Sequence, residues 1–236
     1  MGDKFQVRAR VHLTDPLMYL PRKPITEIGN GRVIYSPENP TDRLYLVLRG
    51  RVKVTTTAAE WYETIARILC TEDLFGAAVL VGGHSSEAAV VLDAAMLMSW
   101  TRDEIEAQIE REPRLGLALA QYFARQCLAL QERIEAVALH KTPERVLLAF
   151  AQLADLLGTP QPDGAMRIDS LTHHTIADYV GTSREVVTFQ MNRFRRLGLI
   201  RYNRRYIDVY SPAVAEVLRQ HGVDFPERPA ESTSPD

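Results

Sequence analysis

The chain has 236 residues, 46% of them hydrophobic and 25% charged, with a formal net charge of −2 at pH 7. This composition is typical of a soluble globular protein that is large enough for two modest domains. No apolar run approaches the roughly 20 residues of a membrane span, and the first residues lack a secretory signal, so we expect a cytoplasmic protein without a membrane partner. Two cysteines, Cys70 and Cys127, exclude a disulfide framework or a thiolate metal cluster, and we expect no cofactor.

Short apolar stretches separated by turns fill the region from residue 28 to residue 100, whereas residues 1–25 carry only weak pattern. The stretches are 33–35, 44–48, 52–54, 61–69, 88–92 and 95–100. Short stretches at this spacing, separated by glycine and proline residues, predict an all-β barrel or jelly roll rather than a parallel sheet.

Helical patterns replace the strands from Thr101 onward. Thr101 is a candidate cap for a short helix over 103–110, which Pro113 ends, and a long helix follows. Apolar residues within the long helix recur at spacings of 3, 4, 3, 4 and 3, which is the pattern of a coiled-coil seam. The seam consists of Ala120, Phe123, Cys127, Leu130, Ile134 and Val137. The alternative is an amphipathic helix that packs on its own barrel.

Residues 140–143 break this helix and start another over 144–157, with Thr142 as cap and Pro143 at the first helical position. Gly158 ends it, and a polar turn over 159–165 leads into a short strand at 166–168. Two apolar, alternating segments near the C-terminus, 199–202 and 206–210, predict a hairpin around residues 203–205.

The region 171–200 predicts a helix-turn-helix. Thr172 caps the first helix, Gly181 breaks it, and Thr182 with Glu185 fits a capping box for the second. Gly198 lies where a C-terminal glycine cap belongs. The predicted buried positions of the two helices are Ile176, Ala177 and Val180, then Val187, Met191 and Phe194. With the following hairpin, the helices form the pattern of a winged helix-turn-helix.

The charge around the second helix favours DNA binding over a two-helix hairpin with a solvated face. Seven arginines and a single acid, Glu185, lie between residues 184 and 205 of a chain whose net charge is −2. Such a local basic patch is the footprint of phosphate binding. The predicted base readers are Arg184 and Glu185, followed by Thr188, Phe189 and Asn192. Candidates for phosphate contact or wing support are Arg193, Arg195, Arg201, Arg204 and Arg205.

A DNA reader of this size usually works as a two-fold dimer, so we favour the parallel dimer seam. In that arrangement Cys127 faces its counterpart in the other subunit. Two readings of Cys127 stay open, an inter-subunit disulfide and a small buried apolar residue.

The barrel, the long seam helix, the hinge and the motif IADYVGTSREVV followed by LGLI together resemble the CRP/FNR family of bacterial transcription regulators over about residues 28–217. The resemblance implies an α+β fold and a homodimer that binds near-palindromic double-stranded DNA and helps or hinders RNA polymerase. We expect a sensor barrel over 1–112, a dimerisation helix and hinge over 113–141, a DNA-binding domain over 142–225, and a disordered tail over 226–236. The turn over 159–165 is where family members touch polymerase.

The resemblance also implies roles for single residues. Arg184 matches the family's guanine reader and Glu185 its cytosine reader. Phe189 lies at the position where the members that bind cyclic AMP carry a second base-reading arginine. We therefore expect a different half-site. The positions that contact phosphates in the family correspond to Thr172, His173, Thr182 and Ser183.

The expected effector pocket departs from the family pattern. Members that bind cyclic AMP carry a glutamate after a Phe-Gly turn, but Ala77 follows Gly76 here. Downstream, where the family has an arginine that pairs with the cyclic phosphate, the chain has Ser86, Glu87 and their neighbours. A carboxylate near a phosphate is unfavourable. We therefore expect no response to cyclic AMP, with an unknown small-molecule effector or none.

Two other classes of function remain as alternatives. The first is a small-molecule-binding regulatory subunit that acts through protein partners, which the arginine-rich wing disfavours. The second is an enzyme, for which the sequence offers no glycine-rich phosphate loop, metal-ligand spacing or nucleophile elbow.

Overall fold

The computed structural model describes residues 14–57, 63–83, 86–169 and 171–223. The N-terminal part contains eight strands in the described ranges, arranged as two four-stranded antiparallel sheets of order β1-β8-β3-β6 and β2-β7-β4-β5. The strands are β1 (Thr26–Ile28), β2 (Val33–Tyr35), β3 (Arg43–Arg49), β4 (Val52–Thr57), β5 (Glu63–Leu69), β6 (Leu74–Phe75), β7 (Glu87–Val91) and β8 (Ala95–Thr101). A short 3-10 helix (Pro16–Met18) precedes them, and helix α1 (Ala78–Val81) follows β6.

Apolar side chains from both sheets fill the barrel. Val47, Val54 and Leu97 are almost completely buried there, together with Tyr35 and Phe75. All six predicted strands form, although residues 61 and 62 of the fourth lie outside the described residues. Strands β1 and β6 were not predicted, because β1 has only one apolar residue and β6 has only two residues. The predicted α+β class with an N-terminal barrel is confirmed.

Helices α2 (Arg102–Arg111) and α3 (Arg114–Leu139) cover the outer face of the first sheet. Thr101 caps α2 in a capping box with Glu104. The first turns of α3 bury Leu115, Leu119 and Tyr122 against the barrel. No helix in the described ranges is both long and apolar enough to cross a membrane.

A different stripe of α3 carries the predicted seam, and most of it is exposed. The exposed fractions are 39% for Leu130, 69% for Ile134 and 54% for Val137. Ala120 and Cys127 are also exposed, and Phe123 is half-buried. The helix therefore packs on its own barrel through one stripe and presents the seam on another.

The C-terminal part combines helices with a small antiparallel sheet of order β11-β12-β10-β9. Its elements are α4 (Thr142–Leu157), β9 (Thr159–Pro160), β10 (Met166–Asp169), α5 (His173–Val180), α6 (Arg184–Arg196), β11 (Ile200–Tyr202), β12 (Tyr206–Val209) and α7 (Ser211–Gln220). The predicted hairpin forms from β11 and β12, but β9 and α7 were not predicted. Helix α4 begins one residue earlier than expected, because the Glu144 carboxylate accepts the Lys141 N–H (2.7 Å) and makes Lys141, not Thr142, the cap. The predicted tail over 226–236 lies outside the described residues.

A buried aspartate holds the small sheet together. Asp208 on β12 lies directly opposite Arg167 on β10 and Arg201 on β11, and its side chain is fully buried. The Arg167 guanidinium donates Nε to Oδ1 at 2.6 Å and Nη2 to Oδ2 at 2.9 Å, and Arg201 donates Nη2 to Oδ2 at 2.6 Å. These hydrogen bonds, first those from Arg167, lower the pKa of Asp208. The three strands are thus cross-linked through one carboxylate.

We expect Asp208→Asn to lower the free energy of unfolding by roughly 1.5–3 kcal/mol, since charged hydrogen bonds are lost in a buried position. Because the pKa of Asp208 is lowered in the folded state, this stabilisation is complete above the ordinary aspartate pKa of about 3.9 and disappears as the pH falls through the folded-state value. Urea denaturation between pH 3 and pH 7 measures both effects. Asp169→Asn, at an exposed carboxylate on β10, is the matched control, and equal losses for the two variants would contradict the assignment.

Candidate nucleic-acid interface

The two helices of the predicted helix-turn-helix form α5 and α6. The Thr172 hydroxyl accepts the Thr175 N–H at 3.0 Å and caps α5, as predicted. Gly181 ends α5 at a φ of +71°, a conformation that a side chain would strain. The predicted core positions of both helices are buried, namely Ile176, Ala177, Val180, Val187, Met191 and Phe194. These contacts fix the angle between the two helices.

The predicted capping box of Thr182 and Glu185 is wrong. Ser183 is the cap, because its backbone is extended and its hydroxyl accepts the Val186 N–H at 3.3 Å. Helix α6 therefore begins at Arg184. Hydrogen bonds from its own backbone N–H and from the Ser183 hydroxyl lower the pKa of Glu185, which is exposed in the first turn of the helix. The Glu185 carboxylate is thus ionised and exposed, and it stays at the start of α6, where Ser183 is the cap.

The C-terminal end of α6 uses Gly198 as predicted. Gly198 has a φ of +71°, and the Leu199 N–H reaches back to the Phe194 carbonyl at 3.0 Å. This is the pattern of a glycine-terminated helix that turns sharply into a strand. It places β11 and the wing beside α6.

A polar network ties the outer face of α6 to α5 and to the wing. Thr188 donates its hydroxyl to the Arg184 carbonyl (2.9 Å) and lies 2.9 Å from Nδ1 of His173. Asn192 donates Nδ2 to the Thr188 carbonyl at 3.0 Å, and its Oδ1 accepts the Tyr202 hydroxyl at 3.0 Å. The Thr188 and Asn192 side chains, both predicted as secondary readers, are therefore engaged within the protein.

The network assigns the tautomer of His173. The single hydroxyl hydrogen of Thr188 is donated to the Arg184 carbonyl, so Thr188 accepts from His173 and the imidazole carries its proton on Nδ1. Burial, and then the positive charge of Arg184, lowers the pKa of His173. The neutral ring leaves Nε2 as an acceptor, which suits neither a phosphate nor another anion.

Arginines beside α6 divide into two groups. Arg195 lies over the Tyr202 ring at 5.3 Å and donates to Asn192, Arg196 donates to the Asn192 carbonyl, and Arg201 bonds Asp208 and Asp163. Arg201 is thus wing support. The guanidinium groups of the second group have no hydrogen-bond, salt-bridge or aromatic partner in the described ranges; its members are Arg184, Arg193, Arg204 and Arg205.

The exposed first turns of α6 border an open groove. The groove is lined in part by Glu63 of β5 and by Thr172, His173, Thr182, Ser183, Arg184, Glu185 and Arg204. Phe189, one turn further along α6, is 64% exposed. The structure therefore brings all four predicted phosphate-contact residues together with both main predicted readers on one face.

Two arginines that sequence reasoning did not connect to the site hold the C-terminal end of α5. Arg145 on α4 donates Nη2 to the Val180 carbonyl at 2.6 Å, and Arg133 on α3 donates to the Tyr179 carbonyl. Arg133 follows Leu115 and Tyr122 on the buried stripe of α3. A charged residue on that apolar stripe was the available signal.

The barrel interior leaves little room at the predicted effector pocket. Tyr45 and Phe75 stack with ring centroids 5.0 Å apart, and the Phe75 and Tyr35 centroids are 6.1 Å apart. The remaining cavity of about 10 Å³ is lined in part by Tyr35, Gly76 and Glu87, which is room for one water at most. The other two predicted pocket residues, Ala77 and Ser86, do not line it.

Within the described ranges, no group of histidine, cysteine, aspartate and glutamate side chains is arranged to hold a metal ion. Cys70 is half-buried, and burial raises its pKa to about 11. Cys127 is exposed on α3.

Comparison with known proteins gives matches in both halves of the chain. A family model described as a cyclic nucleotide-binding domain matches residues 25–112, and one described as a Crp-like helix-turn-helix domain matches residues 124–214. The chain is 30% identical over 177 residues to a "CRP-like cAMP-activated global transcriptional regulator" of Mycobacterium tuberculosis, covering 74% of this chain and 79% of that protein. It is 28% identical over 194 residues to a "Global nitrogen regulator" of Synechocystis, covering 80% and 86%.

The fold is also that of solved structures. A transcriptional regulator of the CRP/FNR family from Thermus thermophilus superposes with a TM-score of 0.69 at 24% identity, covering 83% of this chain and 98% of that one. This likeness concerns the arrangement of barrel, long helix and helix-turn-helix.

We expect NMR to detect His173 as the neutral Nδ1–H tautomer with a pKa below the ordinary value of about 6.5. Because the pKa is lowered on folding, His173 opposes folding increasingly as the pH falls below that value. Long-range ¹H–¹⁵N correlation spectra across a pH titration measure tautomer and pKa together. Thr188→Val removes the acceptor and should abolish the tautomer preference, whereas an Nε2–H ring in the wild type would contradict the network.

Proposed function

The chain belongs to the CRP/FNR family of transcription regulators, and we propose that it is a dimeric, sequence-specific DNA-binding member that does not respond to cyclic AMP. Residues 142–225 bind DNA in this proposal, residues 113–141 dimerise, and residues 1–112 form a sensor-type barrel. The observation that carries it is the exposed N-terminal end of α6, where Arg184 and Glu185 border an open groove that Arg204 of the wing also lines.

Base recognition falls to three side chains of α6. Arg184 has the donor pair that guanine O6 and N7 accept, and the ionised Glu185 accepts from the cytosine amino group. Phe189 is exposed and apolar, which suits contact with a thymine methyl group. Thr188 and Asn192 act by holding α6 against α5 and the wing, because their polar groups are hydrogen-bonded internally.

Phosphate contact falls to arginines whose guanidinium groups have no partner within the described part of the protein. Arg193 extends from α6, and Arg204 and Arg205 occupy the tip of the wing hairpin. The capped N-terminus of α6 adds backbone N–H groups and a favourable dipole for a phosphate. Thr172, Thr182 and Ser183 border the same groove. His173 contributes to this contact only when protonated, since its Nδ1 proton is already donated to Thr188.

Dimerisation through α3 is supported by the exposed seam. Ile134 and Val137 expose more than half of their surface although they continue a regular heptad-like pattern. An exposed apolar stripe of this kind is stabilised by a second copy of the same helix. Two recognition helices related by a two-fold axis then meet paired half-sites of a near-palindrome.

The absence of a cyclic AMP response is supported by the barrel interior. A nucleotide requires a cavity of several hundred Å³, whereas the cavity between Tyr35, Gly76 and Glu87 has a volume of about 10 Å³. Glu87 lines that cavity, and the resemblance places it or one of its neighbours where the family's cyclic-AMP-binding members carry an arginine. A carboxylate there repels a cyclic phosphate.

RNA polymerase is a proposed partner through the loop over 159–165. Pro162 and Asp163 are exposed there, and Arg201 and the Tyr210 hydroxyl bond Asp163 at 3.0 and 3.3 Å. The loop is thus held in one position on the surface. Deleting it should reduce transcription while DNA binding survives; loss of both would refute a separate polymerase contact.

We expect Arg184→Ala to weaken binding to the preferred site by about 1–3 kcal/mol and to relax the preference at one base pair, because a bidentate guanine contact is lost. Selection from a randomised duplex library at defined salt, followed by titration of the selected site, measures this. Arg204→Ala should instead weaken all duplexes alike and reduce the salt dependence by about one phosphate contact. Arg111→Ala, at an exposed arginine on α2, is the control. An unchanged sequence preference for Arg184→Ala would refute its role.

We expect Ile134→Glu to convert the dimer into monomers, because it places paired carboxylates in an apolar seam. Sedimentation velocity and binding to the two-half-site duplex measure the change. Leu128→Glu is the matched control, since Leu128 is 59% exposed on the same helix but outside the seam. A dimeric Ile134→Glu variant, or monomers from both variants, would contradict the seam.

We expect cyclic AMP to produce no heat of binding and no change in DNA affinity. Isothermal titration calorimetry and DNA titration with and without the nucleotide measure this, with the M. tuberculosis relative as positive control. DNA binding that requires cyclic AMP would show that the barrel opens around the nucleotide.

A further inference from the structure

The Arg133 guanidinium joins the barrel, the long helix and the DNA-binding part. It extends from α3 and donates Nη2 to the Ile65 carbonyl of β5 at 2.6 Å and to the Tyr179 carbonyl of α5, and Nη1 to the Ala66 carbonyl of β5. The same group lies over the Tyr179 ring, 4.4 Å from its centroid. One side chain therefore bonds two elements that are more than a hundred residues apart in sequence.

The carbonyls that Arg133 binds on the barrel side come from an irregular edge strand. Among the strands in the described ranges, β5 is the last of its sheet and pairs with β4 alone. The pairing shifts between Arg67 and Ile65, so Ala66 is the extra residue of a β-bulge. Bulges and edges leave carbonyls without a strand partner.

The carbonyl on the other side belongs to the last turn of α5. Carbonyls there have no partner within the helix, and the negative end of the helix dipole favours a cation. Arg145 satisfies the Val180 carbonyl and Arg133 the Tyr179 carbonyl. Gly181, the turn between α5 and α6, follows directly.

Further contacts support the same junction. Ile65 and Ile68 of β5 are buried in one cluster with Ile176 and Val180 of α5. Arg51 of the barrel donates Nη1 to the Asp169 carbonyl at 3.1 Å. Burial lowers the pKa of Arg133, in keeping with a guanidinium withdrawn from water.

We propose that Arg133 is a positioning residue for DNA recognition, which sets the orientation of the helix-turn-helix relative to the dimer helix and thereby the separation of the two recognition helices. This inference rests on the proposed dimeric DNA-binding function. An arginine suits the role because its planar fork directs several donors to carbonyls on both sides at once. Lysine offers a single point charge, and the shorter glutamine loses the charge.

The experiment measures half-site spacing as well as affinity. The preferred near-palindrome is selected with the wild type, and binding is measured on that duplex, on duplexes with the spacer changed by two base pairs, and on a single half-site. We expect Arg133→Gln to lose at least tenfold in affinity for the native spacing and to discriminate less between spacings. Its affinity for a single half-site should stay within twofold, since the reading surface is intact.

Arg133→Lys should fall between the wild type and Arg133→Gln, and Arg125→Gln, at an exposed arginine on the same helix, should behave as the wild type. Circular dichroism and sedimentation verify folding and dimerisation of each variant. If Arg133→Gln folds and still discriminates between spacings as the wild type does, the inference is overturned. If Arg133→Gln does not fold, the same discrimination by Arg133→Lys overturns it. Failure of the wild type to select any paired site refutes the proposed function itself and the inference with it.

Discussion

Backbone carbonyls that find no partner within their own strand or helix, at two places in the chain, constrain how the barrel, α3 and the helix-turn-helix are arranged. The bulge of edge strand β5 and the last turn of α5 each present carbonyls that their own element does not satisfy. Arg133 binds both sets, and Arg145 completes the helix end. Since an unsatisfied buried carbonyl is costly, the barrel, α3 and the helix-turn-helix are held in one relative orientation. The position of the exposed face of α6, which carries Arg184 and Glu185, depends on that orientation.

The exposed face of α6, which reads DNA in our proposal, owes its shape to polar groups that bond within the protein as much as to those that stay exposed. His173, Thr188, Asn192 and Tyr202 bond one another across α5, α6 and the wing. Asp208 accepts hydrogen bonds from Arg167 and Arg201 in the sheet behind them. A fixed backbone for α6 reduces the entropy lost on binding, and the remaining outward groups, led by Arg184 and Glu185, carry the recognition in our proposal.

The barrel has the family fold, and aromatic side chains fill much of its interior. The stacked rings of Tyr35, Tyr45 and Phe75 occupy the space between the sheets, and Glu87 lines what is left. Burial together with the charge of Glu87 raises the pKa of Tyr35, so its hydroxyl stays neutral. These groups support our proposal that the barrel does not respond to cyclic AMP.

Local pattern in the sequence determined most helices, six of the barrel strands and the face of α6 that stays exposed, because caps, glycines and apolar periodicity act within a few residues. It could not decide between neighbouring hydroxyls as caps, and Ser183 rather than Thr182 caps α6. The largely polar β1 and the two-residue β6 showed no strand pattern. Only the tertiary structure decided what Arg133, Arg201 and Asp208 do. Their partners lie on other strands and helices, and a charged side chain in a sequence does not indicate which distant carbonyl or carboxylate folding brings beside it.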